Sequence, residues 1–449
     1  MVQLAFILVG ARALRRRWWV LLIVALALFA LAALIISDLF DGTVSIAAEL
    51  FGYVLLFEGL LGLFIGIASP SPAGRVFTIA RSLLLLALGI LIIDLPLRND
   101  TAVAILFGLA FVVDGAARIL SSWVVRFPRW RIMAAVGAAE VVLAALVVAD
   151  WPMPHRYNVP VCMSLLLILS GWVVLRTALM LRTHLDEVAI LALPVFGARD
   201  WYDNAPVLVD DDSAPPSRPE RHAEPMTVRV WTPVGSADVR ERRPLIDRYI
   251  AAVDTEGSIS TGHSALELGP DLYISHYPAQ EIETGASEFT RRLRASAENN
   301  VRGRFQPSYA QESANWCEAD QRVDFHTYDT RRLRAYWAGY RQDDTYNLTN
   351  RNCSVAVAAA LDSALEGALA TRMPWLRLAM LLLNPDLWAA AYIRSRAQSM
   401  SWTPGLVLDY ARTLKRIVEP GERSFLARLA DFLRRLRPRR AAAPEGSLP

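Results

Sequence analysis

The chain has 449 residues, an apolar share of 54% and a positive mean hydropathy, with the apolar excess concentrated in the first 183 residues. A wholly water-exposed protein does not carry that excess, and a net charge of +3 gives no global case for nucleic-acid binding. Three widely spaced cysteines, Cys162, Cys317 and Cys353, argue against a disulfide framework and against structural zinc.

Residues 1–17 read as a cytoplasmic arm ending in Arg15, Arg16 and Arg17. The apolar run from Trp18 to Phe40 is too long for a secretory signal and lacks a small-residue cleavage site. It is long enough to cross a bilayer. Five more spans are predicted at 43–69, 76–97, 101–125, 131–150 and 158–181. Arg12, Arg15, Arg16, Arg17, Arg75, Arg81, Arg126, Arg129, Arg131 and Arg182 all fall on one side of this arrangement. The positive-inside rule therefore places the N-terminus and everything after residue 183 in the cytoplasm. Glu58, Asp114 and Glu140 lie within spans, where an ionisable group marks either an ion pathway or a pair inside the bundle, with Arg81 or Arg118 as partners.

The spans repeat. Asp38, Asp94 and Asp150 are spaced by 56 residues, as are Gly59, Gly115 and Gly171, and Pro96 and Pro152. Each unit reads as a hairpin: an apolar helix ending in Asp, a short loop, and a helix with a central glycine that permits close approach. Three such hairpins resemble the HdeD-like acid-resistance membrane proteins. The resemblance implies an all-α six-helix transmembrane domain over 18–183.

Residues 184–225 read as a linker, with Asp210-Asp-Asp-Ser-Ala-Pro-Pro at its centre. Strands are predicted at Thr227–Trp231, Tyr249–Val253, Thr261–Gly269, Asp271–Pro278 and Arg322–Tyr328. A helix is expected over Gly285–Ser296, and another opens after an Asp329 cap. Residues 366–440 read as helical and membrane-associated. Within them Trp375–Trp388 is positioned to lie on the membrane or cover a cleft. Phe425, Leu426, Leu429, Phe432, Leu433 and Leu436 form the apolar stripe of a basic amphipathic helix. Residues 441–449 read as a disordered tail.

Chemistry concentrates between Gly262 and Leu361. Asn352-Cys353 precedes an Ala-rich helix, and a thiol in a first helical turn meets unpaired N–H groups and the positive end of the dipole, which favour the thiolate. A cysteine nucleophile needs a base. His263 and His276 lie on consecutive strands around a Gly-Pro-Asp turn, which brings them near each other across the hairpin. Glu267 points to the same face as His263, but four residues along a strand is roughly 13 Å, so His276 is the expected orienting partner.

These features resemble the lecithin–retinol acyltransferase family and the related permuted NlpC-type thiol hydrolases, where a strand-borne His and a second His precede a helix-borne Cys. Two features differ: Ser264 stands where an aromatic is common, and the interval between the histidines is a residue longer. The resemblance implies a small α+β permuted papain-like domain over 226–365. It implies Cys353 as nucleophile, His263 as base and His276 as orienter, with no cofactor and no metal. The expected function is a membrane-anchored cysteine hydrolase or acyltransferase working through a thioester. Lipid acyl groups are one substrate class, and cytoplasmic peptides or amides the competing one. A non-enzymatic stress-response or transport protein with an inactive binding domain is the alternative from another class. Nothing in the sequence specifies the oligomeric state.

Overall fold

Long apolar runs in a bilayer satisfy their backbone polar groups within themselves, and here they do so as helices. The computed structural model describes residues 2–15, 17–41, 45–68, 72–93, 100–126, 130–152, 154, 157–183, 218–233, 249, 252–253, 259–280, 291–382, 384–399 and 401–420. Two short helices, α1 (Val2–Val9) and α2 (Ala11–Arg15), lead into six long ones. These are α3 (Trp19–Asp41), α4 (Ser45–Ala68), α5 (Pro72–Ile92), α6 (Asp100–Val125), α7 (Trp130–Val148) and α8 (Asn158–Thr183). Every predicted span coincides with one of them to within a few residues. Among the described residues, α3, α6, α7 and α8 each contain a stretch long and apolar enough to cross a membrane.

The predicted hairpins are not the packed pairs. Helix α4 packs along α5, α6 along α7, and α8 returns to pack along α3. Each glycine-bearing helix thus meets the first helix of the following unit, and the last unit closes on the first. The repeated glycines account for this choice. A Cβ on Gly115 would lie 2.6 Å from the Gly137 carbonyl oxygen, one on Gly59 2.8 Å from Leu86, and one on Gly171 2.9 Å from Phe29. The three equivalent positions make three equivalent close approaches. At the α6–α7 contact the Arg118 guanidinium bridges Asp114 (2.8 Å) and Glu140 (3.1 Å), so these two carboxylates on apolar helices form an ion-paired group.

Beyond residue 217 the chain builds two antiparallel sheets with helices against them. The first has the order β5 (Leu272–Ile274), β4 (His263–Leu268), β1 (Glu220–Trp231), β8 (Gln321–Tyr328); the second has β6 (His276–Pro278), β7 (Val301–Phe305), β9 (Thr345–Tyr346). A two-stranded pair, β2 (Ala252–Val253) and β3 (Ile259–Ser260), lies apart. Strand β1 begins inside the predicted linker and pairs with β4 and β8 on its two sides. The helices are α9 (Tyr309–Asn315), α10 (Thr330–Tyr340), α11 (Cys353–Ala364), α12 (Pro374–Leu382), α13 (Pro385–Ser399) and α14 (Pro404–Val418). Alternation along the strands separates two faces. Val228, Val230, Leu266, Leu268 and Ile274 bury against the main core, whereas Trp231, Ala265 and Tyr273 form a smaller cluster on the opposite face.

Every residue of α11 is buried, and its alanines let neighbouring backbones approach closely. Residues 366–418 contribute buried side chains to the same core. Trp402 and Tyr410 are fully buried, and Asp362 on α11 holds Arg394 at 3.1 Å and accepts from the Tyr410 hydroxyl at 2.5 Å. The predicted helix over 425–437, the tail and the first half of the 285–296 helix lie outside the described residues.

The N-terminal arm is also part of this core. Leu4, Phe6, Ile7, Leu8 and Val9 are at most 2% exposed and share one apolar cluster with α11–α14. The amides of Gly367 and Leu369 donate to the Ile7 and Leu8 carbonyls at 2.9 and 2.8 Å. The chain therefore enters the membrane helices from this domain and returns to it. Any membrane crossings between α2 and β1 must be even in number. The domain sits against one end of the helices: the Ala295 amide donates to the last carbonyl of α6, Val125, at 2.6 Å, and α13 touches α4.

Candidate active site around Cys353

Helix α11 starts where the sequence places it. Asn352 is the cap, its side-chain oxygen accepting from the Val355 amide at 2.8 Å. Its amide group donates to the carbonyls of Leu348 (2.7 Å) and Trp402 (3.1 Å), so the cap is itself locked in place. Cys353 is the first helical residue and is 6% exposed. Its sulfur lies 3.7 Å from the Ser354 hydroxyl, which in turn lies 3.1 Å from the Ser264 hydroxyl. Burial pushes the thiol pKa up, with the serine donors opposing it. The helix terminus does not win against desolvation, so the resting group is a thiol.

His263 opens β4, the strand whose next residue touches the thiol. Gly262 before it has φ +69°, and a Cβ there would lie 2.4 Å from the Trp231 carbonyl oxygen, so only glycine lets the strand start so close to β1. The imidazole is stacked on Tyr277 with centroids 4.0 Å apart and tilted against Trp231 at 5.3 Å. Its Nε2 lies 2.9 Å from Ser275 Oγ and 3.2 Å from Glu312 Oε1. Glu312, on α9, is 2% exposed; its Oε2 accepts from the Tyr273 hydroxyl at 2.5 Å, and its Oε1, the oxygen facing His263, makes no hydrogen bond among the described residues.

This network assigns the histidine tautomer. Nε2 faces the Ser275 hydroxyl and a carboxyl oxygen of Glu312, an acceptor, so we assign the ring proton to Nε2. Nδ1 then carries the lone pair, and it makes no hydrogen bond among the described residues. Burial lowers the His263 pKa to about 3, with His276 adding to the effect, so the ring is neutral at pH 7. Burial raises that of Glu312 against the opposing hydroxyl donors. No hydrogen bond joins the Cys353 thiol to either histidine in this resting arrangement.

His276 does not take the orienting position expected of it. Strand β4 pairs with β5 so that Leu266 faces Ile274 and Leu268 faces Leu272. Continued outward, that register sets His263 opposite Tyr277, the ring it stacks on, and leaves His276 one residue out of step. A one-residue offset sends the side chain to the other face. There His276 contacts the Tyr340 hydroxyl through Nδ1 (3.0 Å) and packs edge-on to Tyr346, and burial lowers its pKa to about 4. Glu267 is likewise engaged elsewhere, in a 2.7 Å pair with Arg229. Glu312 is the residue that sequence reasoning misses, because a single glutamate in a seven-residue helix carries no spacing signal.

The thiol opens onto a cavity of about 180 Å³. Gly262, Tyr346, Asn352, Cys353 and Trp402 line it on the domain side, and Val124 and Val125 from the end of α6 close it. Its lining is predominantly apolar. No group of three potential ligands that could hold a metal ion occurs among the described residues. Comparison with family models, curated proteins and solved structures gives no match to this chain.

Proposed function

We propose that this protein is a membrane-anchored cysteine hydrolase or acyltransferase of the permuted papain-like class that acts on acyl groups drawn from the lipid phase. One observation carries the reading: a thiol at a capped helix start abuts the residue next to a histidine whose Nε2 is held by a buried Glu312–Ser275 pair. That arrangement supplies a nucleophile, a base with a free nitrogen, and an orienting carboxylate.

In the proposed reaction the Cys353 sulfur attacks the carbonyl carbon of an ester or amide while its proton passes to His263 Nδ1. The Cys353 amide, at the helix start, is a donor for the developing oxyanion. Collapse breaks the bond to the leaving oxygen or nitrogen, which takes the proton from His263, and leaves a thioester on Cys353. Water or an acyl acceptor, deprotonated by His263, then resolves that thioester. Glu312 acts through the histidine, as a positioning residue. A lipid substrate is favoured over a peptide because the cavity is apolar and one of its walls is the end of α6. The cytoplasmic orientation belongs to this proposal and rests on the arginine distribution.

The test is acyl-enzyme trapping. The full chain in nanodiscs is incubated with p-nitrophenyl esters of increasing chain length and with labelled phospholipid. A hydroxylamine-sensitive acyl adduct mapped to Cys353, absent from Cys353→Ala, is expected. Equal turnover by wild type and Cys353→Ala would overturn the reading. Preference for peptide amides over all esters would retain the thiol chemistry and remove the lipid.

A further inference from the structure

A second feature, independent of the thiol chemistry, lies on α12. This helix buries Pro374, Leu378 and Leu381 in the core, while Met373 just before it and Leu376 and Met380 on it are 63%, 57% and 57% exposed. Positions 373, 376 and 380 follow helical spacing and share one face. Elsewhere in the described part of this domain, Trp316 is the other large apolar side chain exposed to a comparable degree. Two polar groups beside the stripe, Trp375 Nε1 and Arg377 Nε, are buried donors without a hydrogen-bond partner among the described residues.

The place of α12 in the fold says what covers this face. It packs against α2, the segment that runs directly into α3, and against α1. Its neighbour α13 touches α4. The stripe therefore lies on a helix that packs against the segment leading into α3, and Arg372 and Arg377 flank it with positive charge. An apolar face flanked by arginine matches the interfacial zone of a bilayer, where apolar side chains enter the acyl boundary and cations meet anionic headgroups.

We infer that α12 is an interfacial membrane contact: Met373, Leu376 and Met380 enter the bilayer surface, and Arg372 and Arg377 meet anionic lipid phosphates. Such a contact pins the catalytic domain to the membrane at a point separate from the α6 end. A second copy of the chain is the other possible occupant, and the experiment separates the two.

Single cysteines at 373, 376 and 380 are introduced into the full chain with Cys162, Cys317 and Cys353 replaced, labelled with an environment-sensitive fluorophore, and reconstituted in nanodiscs of mixed neutral and anionic lipid. Arg302→Cys, 84% exposed at its side chain, is the aqueous control. The expected result is quenching by shallow doxyl-labelled lipids severalfold greater than at position 302, weakened by Arg372→Gln/Arg377→Gln. Quenching by aqueous iodide equal to that at position 302, without lipid quenching, overturns the inference. So does protection from both quenchers that disappears in nanodiscs holding a single chain, since that outcome assigns the face to a second copy.

Discussion

Glu312 and His276 divide the roles that two histidines alone would suggest, and substitutions separate them. Glu312→Gln keeps the shape and removes the carboxylate that accepts from Tyr273 and faces His263 Nε2. The expected loss is in kcat, with KM little changed and a shifted pH profile. His263→Ala should lower turnover about 100-fold or more, the scale of a general base. His276→Ala should cost about 1–3 kcal/mol of stability by stranding the Tyr340 hydroxyl, and should leave Cys353 alkylation by iodoacetamide near the wild-type rate. Loss of Cys353 reactivity in His276→Ala, with the fold intact by circular dichroism, would restore the pairing expected from sequence.

The titration behaviour also belongs to the residues. With His263 held near 3 and the thiol raised, the resting pair is imidazole and thiol, so Cys353 alkylation should rise at or above the pH of an ordinary thiol. Both buried histidines have folded pKa values below the unfolded value of 6.5. As pH falls below 6.5 the unfolded chain binds protons that the folded chain excludes, so stability declines. The decline continues to about 4 for His276 and about 3 for His263, below which each histidine is protonated in both states. Each contributes a slope of at most about 1.4 kcal/mol per pH unit. A denaturation midpoint that stays flat from pH 6.5 to 4.5 would contradict this burial.

Among the elements, α1 has the largest consequence. Burying an apolar side chain is worth roughly 1.5–3 kcal/mol, and five of them in α1 together rival the whole stability of a typical domain, about 5–15 kcal/mol. Deleting residues 1–10 should leave residues 218–449 unable to fold. Limited proteolysis of the truncated chain, compared with a Leu4→Met control, measures this. Helices α6 and α7 carry a similar constraint: Gly115→Val places branched carbons where the Gly137 carbonyl already sits, and should separate the pair in a crosslinking assay. The element types themselves were legible. Apolar length marked the helices, and alternation marked β4 and β8. Asp329 is the expected cap, accepting from the Arg332 amide, and Asn352 caps the Cys353 helix by accepting from Val355. The hairpin partners were not legible, because a 56-residue repeat specifies equivalent positions without saying which neighbouring helix each glycine meets.

For the whole molecule, the return of the chain to the core around α1 is a topological constraint. Tags at the N-terminus and after residue 420 should be accessible from the same side of sealed vesicles, whether four or six helices cross; accessibility from opposite sides would exclude this fold. The sequence by itself determined the apolar helices, their period, the helix start at Cys353 and the strand bearing His263, since each depends on residues adjacent in the chain or at a regular spacing. Tertiary structure alone decided that Glu312 rather than His276 meets His263, that α8 closes on α3, and that α1 lies inside the domain it precedes by some 200 residues. Those outcomes depend on strand register and long-range packing. A one-residue change of register turns a side chain to the opposite face, and nothing in the local pattern records it.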